Sequence, residues 1–247
     1  MKRHIFLIFC ILIFVQLVST RLVAQHAYRD IIYKAYISGD MNKWASVIYT
    51  IEKDAPTTLE RKLELVNYYY GYIGYLLGAK KYDLAQKYIN KDEQLINEIV
   101  KLWPQNATIY AYKGSCIGFK IAISKFKAIT LGPQSIEYVD KAVKLDPANV
   151  QGIVDRANAL YHTPALFGGD KKESLKLFQK GALLLENTHH TENNWFYLNI
   201  LTLIAKNQEQ LGYLKQAKQT YEKIILIEPD FKWVRNELYP DLLKKMK

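Results

Sequence analysis

Cysteine is nearly absent: the 247 residues carry only Cys10 and Cys116, and Cys10 lies in an apolar run near the start. Beyond that run no intramolecular disulfide can form, so stability has to come from packing. Cys116 sits between Gly114 and Gly118. No His or Asp motif accompanies it, so it reads as a small packing residue and not a nucleophile. Histidine is scarce as well, at five. There is no His-Glu-x-x-His pattern, and the adjacent His189 and His190 cannot share one helix face around an ion. A Gly-x-Ser-x-Gly elbow and a Walker lysine are also missing, which removes the usual serine hydrolase and nucleotide-binding signatures. Asp92, Glu93 and Glu98 follow an exposed helical spacing that suggests surface salt pairs, not a catalytic dyad. No catalytic residue, metal site or cofactor is expected, and the chain reads as non-enzymatic. Strand signals are lacking too: no Asn-Gly or Asp-Gly turn and no long alternating run occurs. No segment has the composition of a linker.

The chain opens with Lys2, Arg3 and His4, is apolar over 5–18 and turns polar at Ser19, Thr20 and Arg21. The run falls short of the roughly twenty residues a spanning helix needs, and its layout is that of a cleavable secretory signal peptide. Residues 1–24 are expected to be the leader, with cleavage after Ala24, and residues 25–247 one domain. Cys10 comes too early for a lipoprotein site. The expected product is soluble and periplasmic or secreted. Losing Lys2, Arg3 and Arg21 takes the net charge from +10 to +7. The remaining lysines are spread along helices as solvated faces, so no nucleic-acid partner is expected and membrane contact is at most peripheral.

Helical signals fill the rest. Apolar residues recur at helical spacing over 27–37 and 40–52, separated by Gly39 as a terminator and Asp40 as a cap. Thr57 with Glu60 suggests a capping box before a tyrosine-rich helix over 59–77. Further helices are predicted over 82–103, 107–128, 135–145, 148–161, 171–185, 195–211 and 214–227, with breaks at Pro104, at Leu131-Gly132-Pro133 and at Asp146-Pro147. A last helix around Phe231 and Leu238 is expected to break near Pro240. The tyrosines at 68, 69, 70, 72 and 75 wrap most of one helix, and packing between hairpins is their expected role.

A spacing recurs along these helices. Ala217, Tyr221, Ile224 and Pro229 stand at intervals of four, three and five; weaker copies are Ser135, Val139, Ala142 and Pro147, then Ser174, Phe178 and Gly181, then Ala45 and Tyr49. Small residues let a neighbouring helix approach, the large one fills the gap, and proline ends the unit. With Leu201, Ile204 and Ala205 in the preceding helix, this resembles the tetratricopeptide repeat. The resemblance implies an all-α, tetratricopeptide-like array of about five antiparallel helical hairpins with a C-terminal capping helix. A narrower likeness rests on His162 to Asp170, with Pro164, Gly168 and Gly169, followed by Ser174, Phe178 and Gly181. It is similar to the T component of tripartite (TRAP-type) periplasmic transporters, which would imply a partner such as a solute-binding protein and an enclosed ligand. In local terms Gly168 and Gly169 allow positive backbone angles and Asp170 caps the next helix.

If the repeat resemblance holds, the first helix of each hairpin lines a concave groove. Alignment on Ala217 and Ala85 places Asn199, Thr202, Lys206, Glu209, Asn67 and Tyr70 toward it, and Asp155 and Asn158 join them off the apolar stripe of their helix. The expected function is a cell-envelope scaffold that binds a protein partner through these residues. The alternative is a periplasmic transport accessory enclosing a small or lipid-like ligand.

Overall fold

A computed structural model describes residues 27–247, so the expected leader and cleavage site lie outside the described residues. Helix α1 covers 27–38. It is followed by α2 (Met41–Lys53), α3 (Leu59–Gly78), α4 (Tyr82–Leu102), α5 (Ala107–Ile123), α6 (Ala128–Leu145), α7 (Val150–His162), α8 (Lys171–Asn187), α9 (Trp195–Gln210), α10 (Leu214–Ile227) and α11 (Tyr239–Lys245). Short connections fold successive helices into antiparallel hairpins, α1–α2 through α9–α10, with α11 packed on α10. No strand occurs among the described residues. The fold is the all-α tetratricopeptide-like array that the spacing implied.

Burial separates two layers. The first helix of a hairpin is buried almost all round: α3 hides Leu65, Val66, Tyr68, Tyr69, Tyr70, Tyr72, Ile73 and Leu76, and α9 hides Trp195 to Leu198 together with Ile200, Leu201, Ile204 and Ala205. The second helix buries one stripe, as in Ala217, Tyr221 and Ile224 of α10 or Ala85, Ile89, Asp92, Ile96 and Ile99 of α4. All-round burial marks an inner helix and a single stripe an outer one. The small residues set the approach between the layers. A Cβ on Gly114 of α5 would lie 2.8 Å from the Ser135 carbonyl oxygen of α6, and one on Gly181 of α8 would lie 2.9 Å from Val154 of α7.

Local boundaries differ from expectation in several places. The chain breaks at 124–127, not at Leu131-Gly132-Pro133, and Pro133 lies inside α6. The close seat of Ser135, whose hydroxyl donates to the Gly114 carbonyl at 2.8 Å, holds α6 in place. Pro133 gives up one helical bond, to the carbonyl of the exposed Ile129. Thr58, not Thr57, caps α3 by accepting from the Arg61 amide, and beyond the break at Asp146-Pro147 it is Asn149 that caps α7 by accepting from the Gly152 amide. Gly168 has φ +90°, whereas Gly169 is needed for space, since a Cβ there would lie 1.8 Å from the Thr163 carbonyl oxygen. Near Pro240 the helix is not broken: a π turn over Val234–Leu238 feeds α11. In α2 the buried series is Trp44, Ile48 and Ile51, one residue earlier than Ala45 and Tyr49, and Tyr49 is exposed.

The array closes on itself. Trp195 at the start of α9 donates its indole N–H to Asn67 of α3 at 3.0 Å and meets Trp44 of α2 edge-on at 5.0 Å. Tyr36 of α1 packs on Trp195 and Phe231, and Tyr33 donates to Glu228 at 2.8 Å. The first hairpin thus touches the last, and aromatic rings occupy the junction.

Candidate binding site on the concave face

The eight candidate residues all come from the inner helices α3, α7 and α9, and closure divides them into a filled part and an open part. In the filled part Tyr70 donates to Asp155 Oδ1 at 3.0 Å and accepts from Asn158 Nδ2 at 3.2 Å, while Gln151 donates to Asp155 Oδ2 at 2.8 Å. Tyr70 and Asp155 are buried. Burial pushes the Asp155 carboxyl up to about 7, opposed by hydrogen bonds from Gln151, Ser115, Tyr70 and Asn158. Burial, and then the charge of Asp155, pushes the Tyr70 hydroxyl well above its ordinary range. Asn67 accepts from Trp195 and donates to the Tyr112 hydroxyl at 2.8 Å. These side chains therefore already hold one another.

On α9, Asn199 accepts from Tyr36 at 3.3 Å, and the buried Thr202 bonds back to the Leu198 carbonyl at 2.8 Å. Glu209 accepts from Tyr221 at 2.7 Å and from Lys245 at 2.8 Å.

Lys206 is placed differently. Its ammonium stands 5.3 Å from the centre of the Trp233 ring, and no carboxylate pairs with it among the described residues. Loss of hydration lowers its pKa, opposed by the nearby charge of Glu209. Facing it from the end of α7 is His162, whose pKa is lowered by burial of the ring and then by the charges of Lys206 and Lys171. The outer edge of His162 remains exposed, and its ring meets Tyr161 edge-on at 4.9 Å. Lys171 bonds to Gln210 at 3.0 Å and lies over Tyr161. A half-open, positively charged patch results, walled by Tyr161 and Trp233. Its chemistry suits an anion: a crowded ammonium without a counter-ion gains when a carboxylate arrives.

Sequence reasoning found Lys206 but missed His162, Tyr161, Lys171 and Trp233 as its neighbours. The available signal was partial: Tyr161 and His162 end the inner helix α7, which the hairpin period puts beside α9, whereas Lys171 opens the outer helix α8 and Trp233 follows α10. Asp92 was also misplaced: it is buried, not a surface carboxylate, and desolvation holds its pKa well above the usual range. Glu93 and Glu98 do form ion pairs, with Lys120 and with Lys62, though Lys62 is itself buried. Cys116 is buried and free, as expected of a packing residue.

No family model matches the chain, and no curated protein matches it. Among solved structures it is similar to TTC0263, a thermophilic TPR protein in Thermus thermophilus, at TM-score 0.57 and 15% identity over 83% of this chain and 92% of that one. A looser similarity is to the MamA protein, at TM-score 0.40 and 16% identity over 86% and 94% of the two chains. The likeness to TTC0263 shows the tetratricopeptide-like fold.

Proposed function

We propose that this chain is a non-catalytic helical-repeat scaffold, exported to the cell envelope, that binds a protein partner through an acidic segment or a free C-terminal carboxylate. Lys206 carries the reading. It is a partly desolvated ammonium on the open stretch of the concave face, while every neighbouring carboxylate is committed elsewhere. Glu209 in particular is held by Tyr221 and Lys245. Trp233 and Tyr161 would grip the apolar part of a bound segment, and Lys171 would add to the field on its charge, joined by His162 only on acidification.

The transport-accessory reading asks for an enclosed space between the hairpins. The inner faces of α3, α5, α7 and α9 are instead filled by Tyr70, Tyr112, Phe119 and Phe196 packed on one another, which favours the scaffold. A solute-binding protein remains one possible partner for the same patch.

The test uses fluorescent acidic peptides with free and with amidated C-termini, titrated against the parent protein and Lys206→Glu. Reversal of one charge at a partly desolvated site is expected to weaken binding by about tenfold or more. Equal affinity in the two proteins would remove Lys206 from the site, and no binding by the parent would remove the patch.

A further inference from the structure

We propose that the edge of the array formed by the α5–α6 and α7–α8 turns docks on an anionic lipid bilayer. The proposal is independent of the concave patch. Two contacts show that α5 and α7 run in the same direction. Asn149, capping the start of α7, donates to Thr108 at the start of α5 at 2.8 Å, and Ser115 and Asp155 hydrogen-bond further along. The C-terminal ends of both helices therefore lie at one edge, and the turns 124–127 and 163–170 leave from it side by side.

That edge exposes large apolar side chains. Phe126 is 91% exposed, Ile129 83%, Leu166 87% and Phe167 73%. Lys125 and Lys127 flank Phe126, and neither forms an ion pair among the described residues. The opposite edge, made of the turns between hairpins, contrasts with it. Those turns carry Asp54, Asp146, Glu192, Glu228 and Asp230 with no lysine or arginine. The charge asymmetry orients the turn edge toward a negative surface.

A bilayer fits this arrangement better than a protein does. Phe126 stands between two lysines on one turn, Ile129 opens α6, and Leu166 with Phe167 follow on the other turn, so a folded partner would need pockets for wedges on separate elements. An acyl layer deforms around isolated wedges, and its anionic headgroups take the lysines.

Hydrogen exchange of the full chain, read on phosphatidylglycerol–phosphatidylcholine vesicles and on phosphatidylcholine vesicles, tests the idea by location. Exchange in peptides spanning 124–131 and 163–170 is expected to slow by about tenfold or more on the anionic vesicles only. The effect should disappear at high salt and in the double variant Phe126→Ser with Phe167→Ser. Both substitutions lie at exposed turn positions, and an unchanged melting temperature verifies the fold. Slowing confined to other segments, slowing that survives in the double variant, or none at all would overturn the proposal. So would a dimer formed without vesicles and abolished by the same substitutions, since the edge would then be an interface between copies.

Discussion

Replacing Asp155 by asparagine should change how stability depends on pH. Burial raises the Asp155 carboxyl to about 7 in the folded protein, whereas an unfolded chain releases that proton near pH 4. Between those values the folded form binds more protons than the unfolded one, so stability falls as pH rises through the window. Below it both forms are protonated and the group has no effect; above it the penalty is complete. The slope is about 1.4 kcal/mol per pH unit at its steepest and halves as the carboxyl reaches its midpoint, or ~2 kcal/mol between pH 5 and pH 7. For a chain of this size that is on the order of 4–8 °C in melting temperature. Asparagine does not titrate, and Gln151 can turn its amide to present an oxygen to the new N–H, so the network keeps its partners. Melts followed by circular dichroism at pH 5, 6, 7 and 8 should show the parent losing stability relative to Asp155→Asn by that amount. Every other titrating group is common to both proteins and cancels. Parallel curves, or a parent that gains on the variant as pH rises, would refute the account of Asp155 as a buried acid held by donors.

Three further outcomes are expected. Gly71→Ala places a Cβ 2.5 Å from Trp44 and 2.8 Å from Trp195, so it should cost about 1–3 kcal/mol by chemical denaturation. Tyr33→Phe removes only the bond to Glu228 that ties α1 to the far end of the array, and should cost about 0.5–1.5 kcal/mol with faster hydrogen exchange in α1. His162, with its pKa below the ordinary value, is neutral at pH 7 and gains charge on acidification. Affinity for an acidic peptide should therefore rise as pH falls below the ordinary imidazole range, and His162→Gln should flatten that rise in a fluorescence titration.

The architecture was legible because the repeat spacing is local. Ala217, Tyr221 and Ile224 are within two turns of one another, and all three are fully buried. The same spacing carried information that went unused: Ala85, Ile89 and Asp92 repeat the intervals of four and three, which puts Asp92 on the buried stripe. The first hairpin was misread because its leading position holds a tryptophan in place of a small residue, with the compensating gap at Gly71 on the facing helix. That exchange of bulk across an interface leaves no periodic mark. Closure was invisible for a related reason. The Asn67–Trp195 bond joins residues 128 apart in sequence, and nothing local to either names the other. The candidate residues were placed on the inner helices correctly, but which of them stay open depends on how far the array curls.

The tyrosine content of the core has its own physical logic. Several tyrosine hydroxyls in this fold end on carboxylates: Tyr33 on Glu228, Tyr68 on Glu64, Tyr69 on Glu52, Tyr70 on Asp155, Tyr197 on Glu186 and Tyr221 on Glu209. Each pair lets a large ring sit in the core with its polar tip satisfied, which a phenylalanine–glutamate pair could not do. The acids used this way are drawn from inner and outer helices alike, and three of them pair at the same time with lysines away from the concave patch: Glu52 with Lys91, Glu186 with Lys223 and Glu209 with Lys245. Where the curl tightens, between α3 and the start of α9, rings and amides fill the space. Near the C-terminal ends of α7 and α9, Lys206 lies over Trp233 without an ion pair of its own among the described residues.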